Sequence, residues 1–199
     1  MKFVYVHGAS ATGESFNYIR DHLKNDDELV IEYSSKDGFD HNLKQMIRLL
    51  RDYDNMFFIC HSLGGIYALH LYSHFNNRIK GCVSLSTPYG GSKAADYAKY
   101  FLPFSRLLRD IGPNSYPMRV ADKIKINIPW TNIITTAGTI PWMIEPNDGV
   151  VTISSMKYRN DMEHVDLPLN HYEVVISPKT VNVIKEKINE VSYETMDTR

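Results

Sequence analysis

The 199-residue chain holds only two cysteines, Cys60 and Cys82, and both lie in apolar, strand-like runs. So few argue against a disulfide framework, and buried free thiols in a reducing compartment are expected. Neither sign of charge dominates: 22 basic and 23 acidic residues leave a net charge of −1, with no block of like charge. The footprint of nucleic-acid or anionic-membrane binding is missing. No run reaches the roughly 18 apolar residues of a membrane span. Met1 to Val6 passes straight into a strand pattern, without the apolar segment and cleavage site of a secretory leader. A cytoplasmic chain without an integral membrane segment is expected. What remains is ordinary globular composition, 43% hydrophobic and 23% charged. That is enough to bury a core in one domain spanning 1–199.

Short apolar strands alternate with amphipathic helices, the signature of a parallel α/β sheet. Strands are predicted at Phe3–Val6, Leu29–Tyr33, Met56–Cys60, Ile79–Leu85, Thr131–Thr136 and near Glu163–Leu167. Helices are predicted at Ser15–Lys24, Asp40–Tyr53 (with Asp40 as its cap), Leu63–Phe75 and Pro178–Val191. The tail from Ser192 to Arg199 is polar and expected to fray. Between Thr87 and Asp122 the strand rhythm breaks. That segment carries Pro88, Gly90, Gly91, Pro103, Gly112, Pro113 and Pro117. It reads as an insertion across the sheet's C-terminal edge, with short helices at Ala94–Phe101 and Phe104–Ile111.

The most informative stretch is Met56 to Gly65, where an apolar strand meets a helix at Ser62 between small residues. This is the layout of a nucleophile elbow, a turn so tight that the serine's hydroxyl stands exposed at the strand's end. Cys60 and Gly64 supply the small side chains that flank it, and Gly65 lets the helix pack closely. Serine is a poor nucleophile until an imidazole takes its proton and a carboxylate orients that imidazole. The chain offers both in the order Ser, Asp, His. Asp148 follows the strand around Ile134, and His171 follows the strand through Val165. Loops after parallel strands gather at one edge, so the three side chains can meet there. The first strand ends in His7-Gly8-Ala9-Ser10-Ala11-Thr12-Gly13, a small-residue loop. The N–H groups of Ala9 and Leu63 are the expected oxyanion donors.

These pieces together resemble an α/β-hydrolase, and within that superfamily the small lipase and serine-esterase branch. Carrying the resemblance are Val6-His7-Gly8, His61-Ser62-Leu63-Gly64-Gly65, Ser86-Thr87-Pro88-Tyr89-Gly90-Gly91-Ser92, Asp148-Gly149-Val150-Val151 and His171. It implies a three-layer α/β/α sandwich with a mainly parallel sheet, acyl-serine chemistry on a carboxylic ester, and no metal or organic cofactor. The expected partner is a small-molecule ester, with Ser62, Asp148 and His171 as the triad. Cys60 departs from the family's usual glycine. The antiparallel strands that open larger members are absent, which makes this a minimal version of the fold.

Competing readings accompany each residue. Ser62 alone reads as a helix cap, and His171 as a loop histidine with His164 as its rival. Asp148, in an Asn-Asp-Gly run, reads equally as a turn former, with Asp122 and then Glu145 as alternative acids. His7 and His61 are read as supports of local backbone. His70 and His74 have a zinc-like spacing without a third ligand and read as surface residues. The insertion, taken as 87–122, reads as a lid. Tyr89, Phe101 and Phe104 within it, and Trp142 from a segment near the same edge, are the expected substrate-lining residues, and packing of the insertion onto the sheet is the plain alternative. Thioester or amide hydrolysis and acyl transfer share the same triad. A non-catalytic binding protein on this fold is the remaining alternative.

Overall fold

The computed structural model describes residues 1–91, 112, 115–139 and 144–197. Six parallel strands form one sheet in the order β2-β1-β3-β4-β5-β6. They are β1 Lys2–Val6, β2 Glu28–Ile31, β3 Met56–His61, β4 Ile79–Leu85, β5 Trp130–Thr135 and β6 Glu163–Leu167. The helices are α1 Asn17–Leu23, α2 Phe39–Leu50, α3 Leu63–Phe75, α4 Tyr116–Ala121, α5 Ile153–Met156 and α6 Pro178–Asp197.

Alternation along the strands builds the layers. Val4, Val6, Phe58 and Cys60 face one side and pack with Met46 and Leu50 of α2 and Ile66 of α3. Phe3, Tyr5, Phe57 and Ile59 face the other and pack with Ile19 of α1 and Ile184 and Val191 of α6. β3 is buried along its whole length, which is why it reads as an unbroken apolar run. The predicted three-layer sandwich is what forms.

From β1 the chain steps to β2 on one side and then to β3 on the other, so the winding reverses between β1 and β3. A crevice opens at such a reversal, beyond the carboxyl ends of the strands. The loop after β1 and the turn after β3 lie on its two sides.

Several expectations are corrected. Gly38, not Asp40, caps α2, at φ 86°, and Asp40 falls in the first turn. Helix α6 runs on to Asp197, where a frayed polar tail was expected from Ser192. His70 is half-buried, its ring edge-on to Phe39 and its Nε2 3.0 Å from the carbonyl of Pro117. It is no surface residue. Helices α4 and α5 and the antiparallel bridges Gly138–Asn147 and Asn147–Thr152 were not anticipated. The two short helices expected at Ala94–Phe101 and Phe104–Ile111 lie outside the described residues, and so does most of the 87–122 insertion. Cys60 and Cys82 are buried free thiols.

Candidate active site

Ser62 occupies the single residue between β3 and α3, at φ 51° and ψ −119°. A non-glycine residue in that region is strained, and surrounding contacts must hold it there. Three do so. The Ser62 N–H donates to the carbonyl of Leu85 at 2.8 Å. The Ser62 carbonyl accepts from Gly65 N at 3.1 Å and from Thr87 Oγ1 at 2.9 Å. The Ser62 side chain makes no capping bond to α3, which removes the helix-cap reading. Gly64 packs so closely on β1 that a Cβ there would stand 2.0 Å from the carbonyl oxygen of Val6.

Asp148 is fully buried, and its two oxygens divide two jobs. Oδ1 accepts from the N–H groups of Val150 at 3.0 Å and Val151 at 2.7 Å, closing the turn. Oδ2 accepts from His171 Nδ1 at 2.7 Å and from the Thr135 hydroxyl. One oxygen thus closes the turn while the other meets the His171 imidazole. Burial acts to raise the Asp148 pKa. The bonds from His171, Thr135 and Val151 outweigh it, and the net shift is downward. Gly138 makes room for this turn, since a Cβ on it would lie 2.0 Å from the Asp148 carbonyl carbon.

His171 is held at three points. Its Nδ1–H and its backbone N–H both go to Asp148, the latter to the carbonyl at 3.0 Å. Its own carbonyl accepts from His61 Nε2 at 3.0 Å. The His61 and His171 rings lie 4.8 Å apart. An ideal Cβ on Gly8 would stand 3.1 Å from His61 Nδ1 and 3.2 Å from Ser62 Cβ. The Gly8 loop, the elbow and the His171 loop therefore meet at one end of the sheet. His61 is buried, and burial first, then the neighbouring His171, push its pKa down to about 3. It stays neutral and donates from Nε2.

His7 is buried, stacked on Tyr33 at 4.2 Å, and bonded through Nδ1 to the Gly8 carbonyl. Burial lowers its pKa. Both histidines support backbone, as their positions beside the loops suggested. Ala9 lies in the turn closed by Ala11 N on Gly8 O. Leu63 opens α3, where the first N–H groups have no intrahelical acceptor.

The other candidates fall elsewhere. Asp122 is exposed, its Oδ2 3.5 Å from the Tyr158 hydroxyl. Glu145 accepts from Ser154 Oγ, and His164 sits within β6. Tyr89 is one of the expected substrate-lining residues. It is buried, donating to Ser84 Oγ at 3.0 Å and accepting from Trp130 Nε1 at 2.9 Å, and so packs the core. Phe101, Phe104 and Trp142 lie outside the described residues. Among the described residues no cluster of His, Cys, Asp and Glu could hold a metal ion, and no helix is long and apolar enough to cross a membrane.

The sequence assigns no role to Thr135 or Asn132, and it marks Ser86 and Thr87 only as part of the motif after the fourth strand. Asn132 ties the loop after β4 in place, accepting from Ser84 Oγ at 2.9 Å and donating to the carbonyls of Thr87 and Met156. Thr135, Ser86 and Thr87 share one signal, polarity at or just after the ends of strands, whereas Asn132 is a buried amide within β5.

The architecture is that of the α/β-hydrolases. The chain is similar to a lipase of Bacillus licheniformis, BlEst2 in mature form, at 15% identity with a TM-score of 0.70, covering 93% of this chain and 90% of that one. It is similar to the metagenomic carboxyl esterase MGS0156 at 16% identity and TM-score 0.73, covering 98% and 76%. It also matches the haloalkane dehalogenase DpaA of Paraglaciecola agarilytica at 11% identity and TM-score 0.72, covering 93% and 82%. In sequence it is 30% identical over 148 residues to Triacylglycerol lipase 2 of Saccharomyces cerevisiae, covering 55% of this chain. The match spans 44% of that lipase's length. No protein-family model matches.

Proposed function

We propose that this chain is a serine hydrolase of carboxylic esters, with Ser62 as nucleophile, His171 as general base and acid, and Asp148 as the orienting carboxylate. The observation that carries the reading is the 2.7 Å His171 Nδ1–Asp148 Oδ2 bond, beside a strained serine at the strand-to-helix turn. The fold alone does not choose the reaction, since a dehalogenase shares it. The names of similar proteins, a triacylglycerol lipase and a carboxyl esterase, favour ester chemistry.

With Nδ1–H committed to Asp148, His171 Nε2 carries the lone pair that takes the Ser62 proton. Ser62 Oγ then attacks the ester carbonyl. The negative charge on the carbonyl oxygen is met by the N–H groups of Ala9 and Leu63, the latter at the positive end of α3. His171 passes its proton to the departing alcohol. Water repeats the sequence on the acyl-serine. Exposed Tyr172 follows His171, and exposed Ile144 precedes the Asp148 turn.

The test is fluorophosphonate labelling of the wild type and of Ser62→Ala, with peptide mapping and turnover of p-nitrophenyl esters of graded chain length. Stoichiometric labelling at Ser62, absent from the folded variant together with ester turnover, is expected. Ester hydrolysis that survives Ser62→Ala overturns the mechanism.

A further inference from the structure

Behind the Asp148 carboxylate stand two buried hydroxyls that this chemistry leaves unused. Thr135 ends β5 and Ser86 directly follows β4, and both are fully buried. Thr135 Oγ1 bonds to Asp148 Oδ2, the oxygen that also accepts from His171 Nδ1. Ser86 Oγ stands 2.8 Å from Thr135 Oγ1.

Counting protons fixes the direction of this chain. An ionised carboxylate only accepts, so the single Thr135 hydroxyl proton points at Asp148. Met156 Sδ, 3.5 Å from Thr135 Oγ1, is a far weaker acceptor for it. Thr135 Oγ1 must then accept from Ser86. The result is a directed chain, Ser86 to Thr135 to Asp148, meeting His171 on the same oxygen. Ser86 holds its place at φ 52°, where a side chain is strained and glycine is not. Its hydroxyl gives a physical reason for a serine at that point.

We propose that Ser86 and Thr135 are positioning residues that hold the Asp148 carboxylate in plane with the imidazole through the proton transfers at Ser62. This inference rests on the serine-hydrolase reading above. Oδ1 is fixed by two backbone N–H groups, whereas His171 gains and loses charge in each half-reaction. A second, uncharged donor on Oδ2 keeps the carboxylate from turning with the ring. Without it, Oδ2 is a buried acceptor one donor short.

The experiment is the second-order rate of fluorophosphonate labelling at Ser62, with circular dichroism and melting as controls. Thr135→Val keeps the shape and removes the hydroxyl, while Thr135→Ser keeps the hydroxyl and removes the methyl. Labelling is expected to slow about tenfold or more in Thr135→Val and to stay within about twofold of wild type in Thr135→Ser. A packing role gives the opposite order, which would overturn the proposal. Should Thr135→Val fail to fold, Ser86→Ala decides. It is expected to slow labelling severalfold, and an unchanged rate refutes the inference. A wild type that does not label at Ser62 instead removes the underlying reading.

Discussion

Gly64→Ala tests how the fold presents Ser62. A methyl at position 64 would stand 2.0 Å from the Val6 carbonyl oxygen, 2.8 Å from the Val6 carbonyl carbon and 2.8 Å from the His7 oxygen. All three are backbone atoms, so no rotamer change relieves the overlap. The start of α3 must move off the end of β1 by about an ångström. Overpacking of this kind costs about 1–3 kcal/mol, and a backbone collision belongs at the upper end. For a domain of this size each kcal/mol shifts Tm by roughly 2–4 °C, which gives a fall of about 6–12 °C. The same movement separates Leu63 N–H from the Ala9 loop that follows Val6 and His7. A misplacement of that size at a reacting centre costs on the order of a hundredfold in rate.

The assay pairs calorimetric melting with the Ser62 labelling rate. Gly149→Ala is the control for backbone strain, because Gly149 sits at φ 97° and a methyl added to it would meet nothing within 4 Å. It should lose only about 1 kcal/mol, from φ alone. A Gly64→Ala protein that melts within about 2 °C of wild type and labels at the wild-type rate refutes the close-packing account of the elbow.

Two further predictions follow from the electrostatics of the site. Asp148→Asn should lower ester turnover on the order of a thousand- to ten-thousandfold by favouring the wrong imidazole tautomer, while Asp122→Asn stays within about twofold. The reverse ranking in a p-nitrophenyl ester assay would move the triad acid. His61, with its folded pKa pushed down to about 3, should stay neutral to pH 5 in an NMR titration of the histidine Cε1 protons. A midpoint near 6.5 would contradict its burial. Because the folded pKa lies below the unfolded one, the unfolded chain binds the proton first. Stability therefore falls as pH drops from about 6.5 towards 3, by at most ~1.4 kcal/mol per pH unit for this group. His7 and His70, also lowered by burial, add in the same sense.

The strands and elbow were legible because each is a local pattern. β3 is an apolar run ending in a small-residue turn, and helix α3, Leu63–Phe75, begins and ends where its sequence says. Asp148 was legible as a turn residue and as an acid, although one sequence could not say that its two oxygens serve both ends. The supports of the site were not legible. The partner of His61 Nε2 is a carbonyl 110 residues away, and no local pattern predicts that pairing. Thr135 and Ser86 read as the polar ends of two strands. Their meeting depends on the β4–β5 register that sets Leu85 opposite Ile133. The setting of Tyr89 was not legible for the converse reason. An aromatic in a loop beside a site reads as exposed lining, but Ser84 and Trp130 draw its hydroxyl inward. Helix α6 outran expectation because its end carries no apolar period to mark it.

The site's backbone strain and the sheet's hydrogen-bond ladder explain one another. Ser62 and Ser86 follow the last residues of neighbouring strands, and both have left-handed φ, 51° and 52°. Each still donates one ladder-like bond across to the next strand, Ser62 N to Leu85 O at 2.8 Å and Ser86 N to Ile133 O at 2.9 Å. The ladder continues one step further along the sheet, where Thr136 N donates to Leu167 O at 3.0 Å. Each strand end is thus bonded to its neighbour immediately before the chain turns away. The cooperative sheet, buried on both faces at β3, supplies what an isolated serine at that φ would lack. Ser62, the Ser86 hydroxyl behind Asp148 and the loop leading to His171 are set by consecutive rungs of one ladder. A shift in the β3–β4 register would therefore misplace Ser62, and one in the β4–β5 register would part the Ser86 and Thr135 hydroxyls behind Asp148. The Gly64 and Thr135 variants, one in α3 and the other on β5, should therefore both be read out in the reactivity of Ser62.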